Sequence, residues 1–218
     1  MMSAMSGSGR RVRVKVCGIT TAEQAVQVAE AGADAIGLVM AKSPRQVDTA
    51  KVLEIVKAIP PFVQTVAVFV NPSEDEVKEA LYDFGIDIIQ LHGIESPNFC
   101  ENFSAKVIKA WRIKGTDDIA QLKEYESCVR GFLLDAWDPH QAGGTGKTFD
   151  WVLGTEAVKA LSKPVILAGG LGPENVKDAI EMVRPWGVDA SSSLEEAPGI
   201  KDLNKVKAFV EAVKSIEV

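Results

Sequence analysis

Short apolar runs alternate with segments of helical period along almost the whole chain. The first run, Val12 to Cys17 (VRVKVC), precedes Ala22 to Ala31, where apolar residues fall at Ala22, Ala25, Val26 and Ala29. Steps of three and four predict an amphipathic helix, and Gly32 reads as the left-handed residue that ends it. The same couplet then recurs. Ala35 to Met40 leads to Thr49 to Ala58. Thr65 to Val70 leads, through an Asn71-Pro72-Ser73 turn and cap, to Glu74 to Phe84. Ile86 to Leu91 precedes a weak helix at Pro97 to Phe103, and Lys106 to Trp111 precedes Asp117 to Tyr125. Gly131 to Asp135 is followed by a Gly-rich loop and a helix at Val152 to Leu161. Pro164 to Ala168 leads to Glu174 to Val183. Val188 to Ser191, the weakest strand, leads to Leu203 to Val213.

Strands alternating with helices predict an α/β fold with a parallel sheet. About eight such units in 218 residues fit a single (β/α)8 TIM barrel; an open doubly wound sheet is the alternative. No composition break marks a linker, so residues 11–218 read as one domain and residues 1–10 as a flexible leader. In a barrel, chemistry belongs at the C-terminal ends of the strands. Polar and Gly-rich signals cluster just there: Cys17-Gly18, Lys42 to Arg45, Asn71, His92-Gly93, Arg112, Asp135, Gly169-Gly170 and Ser191 to Ser193.

Side chains alternate faces along a strand. If Val12, Val14 and Val16 pack against helices, Arg13, Lys15 and Cys17 point into the barrel. An ammonium beside a thiol lowers its pKa, so Lys15 is a candidate activator of Cys17. The competing reading pairs Lys15 with an inward carboxylate such as Asp189. Asp135, ending the run GFLLD, faces the barrel mouth or caps the next helix. Gly169-Gly170 and Ser191-Ser192-Ser193 follow the last two strands, where barrels often bind phosphate; tight turns are the plainer alternative.

Composition narrows the function class. The net charge of −6 argues against a nucleic-acid binder, whose footprint is basic. No apolar run approaches the 18 or so residues of a membrane span. Cys17, Cys100 and Cys128 are odd in number and widely spaced, so they form no disulfide framework; a reducing, cytoplasmic setting follows. His92 and His140 lack ligand-spaced partners, so no metal is expected. Gly143 to Thr148 (GGTGKT) looks like half a P-loop, but Gln141 stands where the first glycine belongs. A Gly-rich active-site loop is the better reading.

Several segments together resemble the phosphoribosylanthranilate isomerase family: VKVCGIT, GADAIGLVM with SPRQV, VAVFVN, IIQLHGIE, LLDAW, GGTGKTFDW, LAGGLGPENV and GVDASSSLEEAPGIKD. The resemblance runs from about Val12 to Val213, in order. It implies Cys17 as general base, Asp135 as general acid, and Arg45 as the holder of the anthranilate carboxylate. It also implies a ribose-phosphate site at Gly169, Gly170, Ser191, Ser192 and Ser193. The implied chemistry is an Amadori rearrangement of a small-molecule phosphosugar, without cofactor or metal, by a monomer or homodimer. It calls for a raised Asp135 pKa and a lowered Cys17 pKa. Three positions depart from the family pattern: Ser193 replaces a usual Gly, Met40-Ala41 a usual aromatic, and Ala190 a usual Val. An isomerase of the related histidine-pathway aminoaldose is the neighbouring alternative, but it resembles a two-aspartate machine. A non-catalytic phosphosugar-binding barrel is the other.

Overall fold

The computed structural model describes residues 9–136 and 151–218. Eight strands form a closed, all-parallel barrel in chain order: β1 Arg13–Cys17, β2 Ala35–Val39, β3 Gln64–Phe69, β4 Ile88–Leu91, β5 Val107–Ile113, β6 Gly131–Ala136, β7 Val165–Leu167 and β8 Gly187–Ala190. Helices follow the strands: α1 Ala22–Glu30, α2 Thr49–Ala58, α3 Glu74–Lys78, α4 Pro97–Glu101, α5 Thr116–Lys123, α6 Trp151–Ala160, α7 Val176–Val183 and α8 Leu203–Lys214. The open-sheet alternative is excluded, because β8 pairs with β1 as Arg13↔Gly187, Val14↔Val188, Lys15↔Asp189 and Val16↔Ala190.

Local chemistry explains the boundaries. Thr21, Asp48, Ser73 and Ser96 each accept a hydrogen bond from a backbone N–H of the first helical turn. Ser73 and Glu76 complete a reciprocal capping box after the predicted Asn71-Pro72-Ser73 turn. The single helix expected over Glu74 to Phe84 is instead α3 followed by a π-helical turn, Glu79–Asp83, closed by Phe84 N–H donating to the Glu79 carbonyl. Arg10, assigned to the leader on sequence, exchanges backbone hydrogen bonds with Val218 at the other end of the chain. Residues 1–8 and the GGTGKT segment lie outside the described residues.

Two cores follow from strand alternation. Val12, Val14, Val16, Ile36, Leu38, Ile89, Leu91, Phe132 and Leu134 point outward into the layer shared with the helices. Val66, Ile88, Ile108, Ala110, Leu133 and Ala168 fill the barrel interior. The interior also carries buried polar groups, which an aliphatic barrel would not need. Between barrel and helices, Lys109 is fully buried; its Nζ donates to Glu95 Oε2 at 2.9 Å and to the carbonyls of Gly93 at 2.7 Å and Leu91 at 3.3 Å.

Burial alone would raise the Glu95 pKa, but the Lys109 ammonium and the Asn71 N–H outweigh it and hold the carboxyl below its ordinary 4.5. Its contribution to stability is therefore present above pH 4.5 and is lost as pH falls through the lower, folded value. Glu95→Gln leaves a buried ammonium unpaired and is expected to destabilise the fold by roughly 3–5 kcal/mol, measured by urea unfolding at pH 7. The loss relative to wild type should shrink in acid.

Candidate active site

The C-terminal ends of the strands open on a cavity of about 300 Å³. Its lining includes Cys17 from β1, Asp135 from β6, Arg45 from the β2–α2 loop, Gly169 and Gly170 after β7, and Ser191 to Ser193 after β8. Cys17, Asp135, Arg45, Gly169, Gly170 and Ser191 to Ser193 are therefore brought to one site, together with Lys42, His92 and Arg112. Asn71 and Gly93 stand just outside it and tie the neighbouring loops together, Asn71 Oδ1 accepting from Ile94 N–H at 2.7 Å.

Lys15 and Cys17 do face the interior. Lys15 Nζ donates to Asp189 Oδ2 at 2.9 Å, with both side chains buried. The second Asp189 oxygen, Oδ1, is buried and hydrogen-bonded to no described residue. Both sequence readings of Lys15 thus hold together, since its ammonium also lowers the Cys17 pKa. The expected net direction for Cys17 is nonetheless overturned. Burial raises the thiol pKa above its ordinary 9.0, and the Asp189 carboxylate adds to the rise, so Lys15 and Lys201 compensate only in part. The physical reason is desolvation: a thiolate inside the barrel loses water, and the nearest cation is already shared with a carboxylate.

Asp135 sits opposite Arg112 in strand register. His92 Nε2 stands 3.7 Å from Asp135 Oδ2, too far for a hydrogen bond. Burial, with help from the cations Arg112, Lys109 and Lys15, pushes the His92 pKa down to about 4. At neutral pH the ring is therefore uncharged, and the contact is not an ion pair.

Arg45 is less free than the sequence suggests. Its Nε donates to Glu195 Oε1 at 2.8 Å and Oε2 at 3.1 Å, and its Nη2 to Oε2 at 2.6 Å. One edge of the guanidinium is thus occupied, and Nη1 bonds to no described residue. Glu195 went unassigned in the sequence reading. The Pro198-Gly199 dipeptide marks a turn, and that turn folds β9 Glu195–Ala197 against β10 Ile200–Lys201, pairing Lys201 with Glu195. This was the available signal.

The two loops after β7 and β8 form a concave rim. Gly169 and Gly170 adopt φ of +85° and +66°, a region open to glycine at little cost. Ser192–Leu194 is a single 3₁₀ turn rather than the start of a longer helix. No described residue accepts from the backbone N–H of Gly169, Gly170, Ser192 or Ser193, a donor set suited to an anion. The Ser193 hydroxyl donates across to the Leu171 carbonyl, stitching the two loops together. Among the described residues, no three His, Cys, Asp or Glu side chains group as metal ligands.

Residues 14–212 match the family model for N-(5'-phosphoribosyl)anthranilate isomerase. The chain belongs to this family. It is 50% identical over 205 residues to the N-(5'-phosphoribosyl)anthranilate isomerase of Pseudomonas fluorescens, covering 94% of this chain and 96% of that one. The crystal structure of the Thermotoga maritima phosphoribosyl anthranilate isomerase superposes with a TM-score of 0.87 at 38% identity, covering 94% of this chain and all of the other. A family structure in complex with reduced 1-(o-carboxyphenylamino)-1-deoxyribulose 5-phosphate matches at a TM-score of 0.83 and 36% identity over 94% of this chain and all of that one.

The Cys17 thiol reports its two neighbours with opposite signs. Lys15→Met removes a lowering influence and should raise the Cys17 pKa further; Asp189→Asn removes a raising one and should lower it. The pH dependence of thiol alkylation, in a background without Cys100 and Cys128, measures both. An unchanged titration in Lys15→Met would disprove the coupling.

Proposed function

We propose that this chain converts N-(5'-phosphoribosyl)anthranilate to 1-(2-carboxyphenylamino)-1-deoxyribulose 5-phosphate, a step of tryptophan biosynthesis. The observation that carries the reading is one cavity lined by a thiol on β1, a carboxyl on β6, an arginine and an anion-suited rim, in a chain of this family.

In this mechanism Asp135, protonated, donates to the furanose ring oxygen. The C1–O bond breaks and the anthranilate nitrogen lone pair closes a Schiff base at C1. Cys17, as thiolate, removes the C2 proton, and the electron pair moves to form the C1–C2 double bond of an enolamine. Tautomerisation to the C2 ketone gives the product. Acid and base must stand on different sides of one sugar. Strands β1 and β6, separated around the barrel by β7 and β8, suit that demand. Because the unliganded Cys17 thiol is raised above its ordinary value, the reactive thiolate fraction grows with pH.

Arg45 holds the anthranilate carboxylate, and Gly169, Gly170, Ser191, Ser192 and Ser193 hold the ribose phosphate. Both grips engage parts of the substrate that do not react, so their binding energy positions the ribose. Neither nucleic acid nor a membrane is a partner, residues 11–218 constitute the catalytic domain, and the chain works in the cytoplasm as a monomer or a homodimer.

Freshly made phosphoribosylanthranilate loses its anthranilate-type fluorescence on turnover, which gives the test. Wild type should accelerate the decay, and Cys17→Ala and Asp135→Asn should each lose about 10²- to 10⁴-fold. Decay at the spontaneous rate with folded wild type would overturn the assignment. In wild type, kcat/KM should rise along the alkaline side as Cys17 ionises, and this limb should move to higher pH in Lys15→Met.

A further inference from the structure

The best-anchored carboxylate near the site belongs to a residue with no part in the reaction as written. Glu195 is buried, yet it receives five hydrogen bonds on its two oxygens. Three come from Arg45, one from Lys201 Nζ at 2.7 Å and one from the Gly199 N–H at 3.3 Å. Burial works against its ionisation, but the Arg45 and Lys201 cations outweigh it and keep the carboxyl below its ordinary pKa.

The surroundings extend this contact in both directions. Lys201 Nζ also reaches the Ser191 carbonyl at 3.2 Å, and Ser191 Oγ donates to the Cys17 carbonyl at 3.0 Å. Glu195 directly follows the Ser192–Leu194 turn, and Lys205 Nζ holds the Glu195 carbonyl at 2.9 Å. On its other side the Arg45 stem lies against Gly18, where a Cβ would come within 2.6 Å of Arg45 Cδ. Arg45 therefore arrives on one loop and is fastened to the next residue after the rim of the other.

We propose that Glu195 is a positioning residue that sets the spacing between the carboxylate-holding and phosphate-holding ends of the site. The proposal rests on the reading of Arg45 and the β8 rim given above. The substrate carries a carboxylate at one end and a phosphate at the other, so both grips must be met at a fixed separation. Arginine is long and loses much rotamer freedom on ordering. A bidentate carboxylate removes that freedom before the substrate arrives and still leaves Nη1 for the incoming anion. Two cations face one glutamate, so the cluster keeps a formal charge of +1 to receive a second carboxylate. Glu195 touches no reacting atom in this arrangement; it acts through Arg45.

Arg45→Met, Glu195→Gln and the double variant test this together. Each is assayed for kcat and KM, and for inhibition by two reduced product analogues, one with the ring carboxylate and one without it. Arg45→Met should raise KM and abolish the preference for the carboxylated inhibitor. Glu195→Gln should raise KM about 10-fold, with a smaller change in kcat, and weaken the inhibitor preference by a similar factor. In the Arg45→Met background it should add almost nothing. If Glu195→Gln keeps the wild-type preference, or costs as much without Arg45 as with it, Glu195 is only structural and the proposal fails while the Arg45 reading stands. If Arg45→Met itself keeps the preference, the Arg45 reading fails and the proposal with it. Glu195→Gln/Lys201→Met removes the orphaned ammonium should the single variant fold poorly, and the same loss of preference is expected.

Discussion

The barrel closes where β1 meets β8, and at that seam Lys15 and Asp189 face each other inside the protein, 2.9 Å apart. Two charges taken out of water are costly, and only good geometry offsets the cost. Strand register supplies that geometry, because Lys15 and Asp189 are paired partners on adjacent parallel strands and point to the same side. The pair lies beside the thiol of the next inward residue, Cys17. The interaction that joins the last strand to the first thus also sets the field around the Cys17 thiol. Its two members pull the thiol in opposite directions, and desolvation decides the balance in the unliganded site.

Two other buried ion pairs follow the same plan at the rim. Lys109, paired with Glu95, also binds the carbonyls of Leu91 and Gly93, the residues flanking His92. Lys201, paired with Glu195, also binds the carbonyl of Ser191. In each case an ammonium with three donors satisfies a carboxylate and still has a proton for backbone carbonyls of a loop that lines the cavity. Buried ion pairs are poor sources of net stability. Here the Lys109 pair fastens the loop after β4 to β5, and the Lys201 pair fastens the start of the loop after β8 to its own β9–β10 hairpin, which a hydrophobic replacement would not do.

These fastenings matter because the chemistry is shared among loops far apart in sequence. The Cys17 thiol, the Asp135 carboxyl, Arg45 and the rim of the last two loops come from the ends of five strands. Each strand end is fixed by the sheet, but each loop is free unless tied. Ser193 joins the β7 and β8 loops, Ser191 joins the β8 loop to β1, and Glu195 joins the β8 loop to the β2 loop. The site is a ring of cross-links above a barrel that is already closed.

Much of this was legible in the chain itself. Alternating two- and 3.6-residue periods fix element type, because each strand here buries its outward face under a helix; eight repeats of one unit leave few topologies. The inward direction of Cys17 followed from the valines on its other face, whereas for Asp135 the end of an apolar run left the barrel mouth and a helix cap as alternatives until the structure placed it in the cavity lining. What tertiary structure decided were the partners: which carboxylate Lys15 meets, that Arg45 is held by Glu195, that His92 is neutral beside Asp135, and that Cys17 is raised rather than lowered. Periodicity reports which face of an element is buried, a local property. Pairing and pKa depend on distances between residues 150 or more apart in the chain, as for Arg45 and Glu195 or Lys15 and Asp189, and on the water that folding removes from around them.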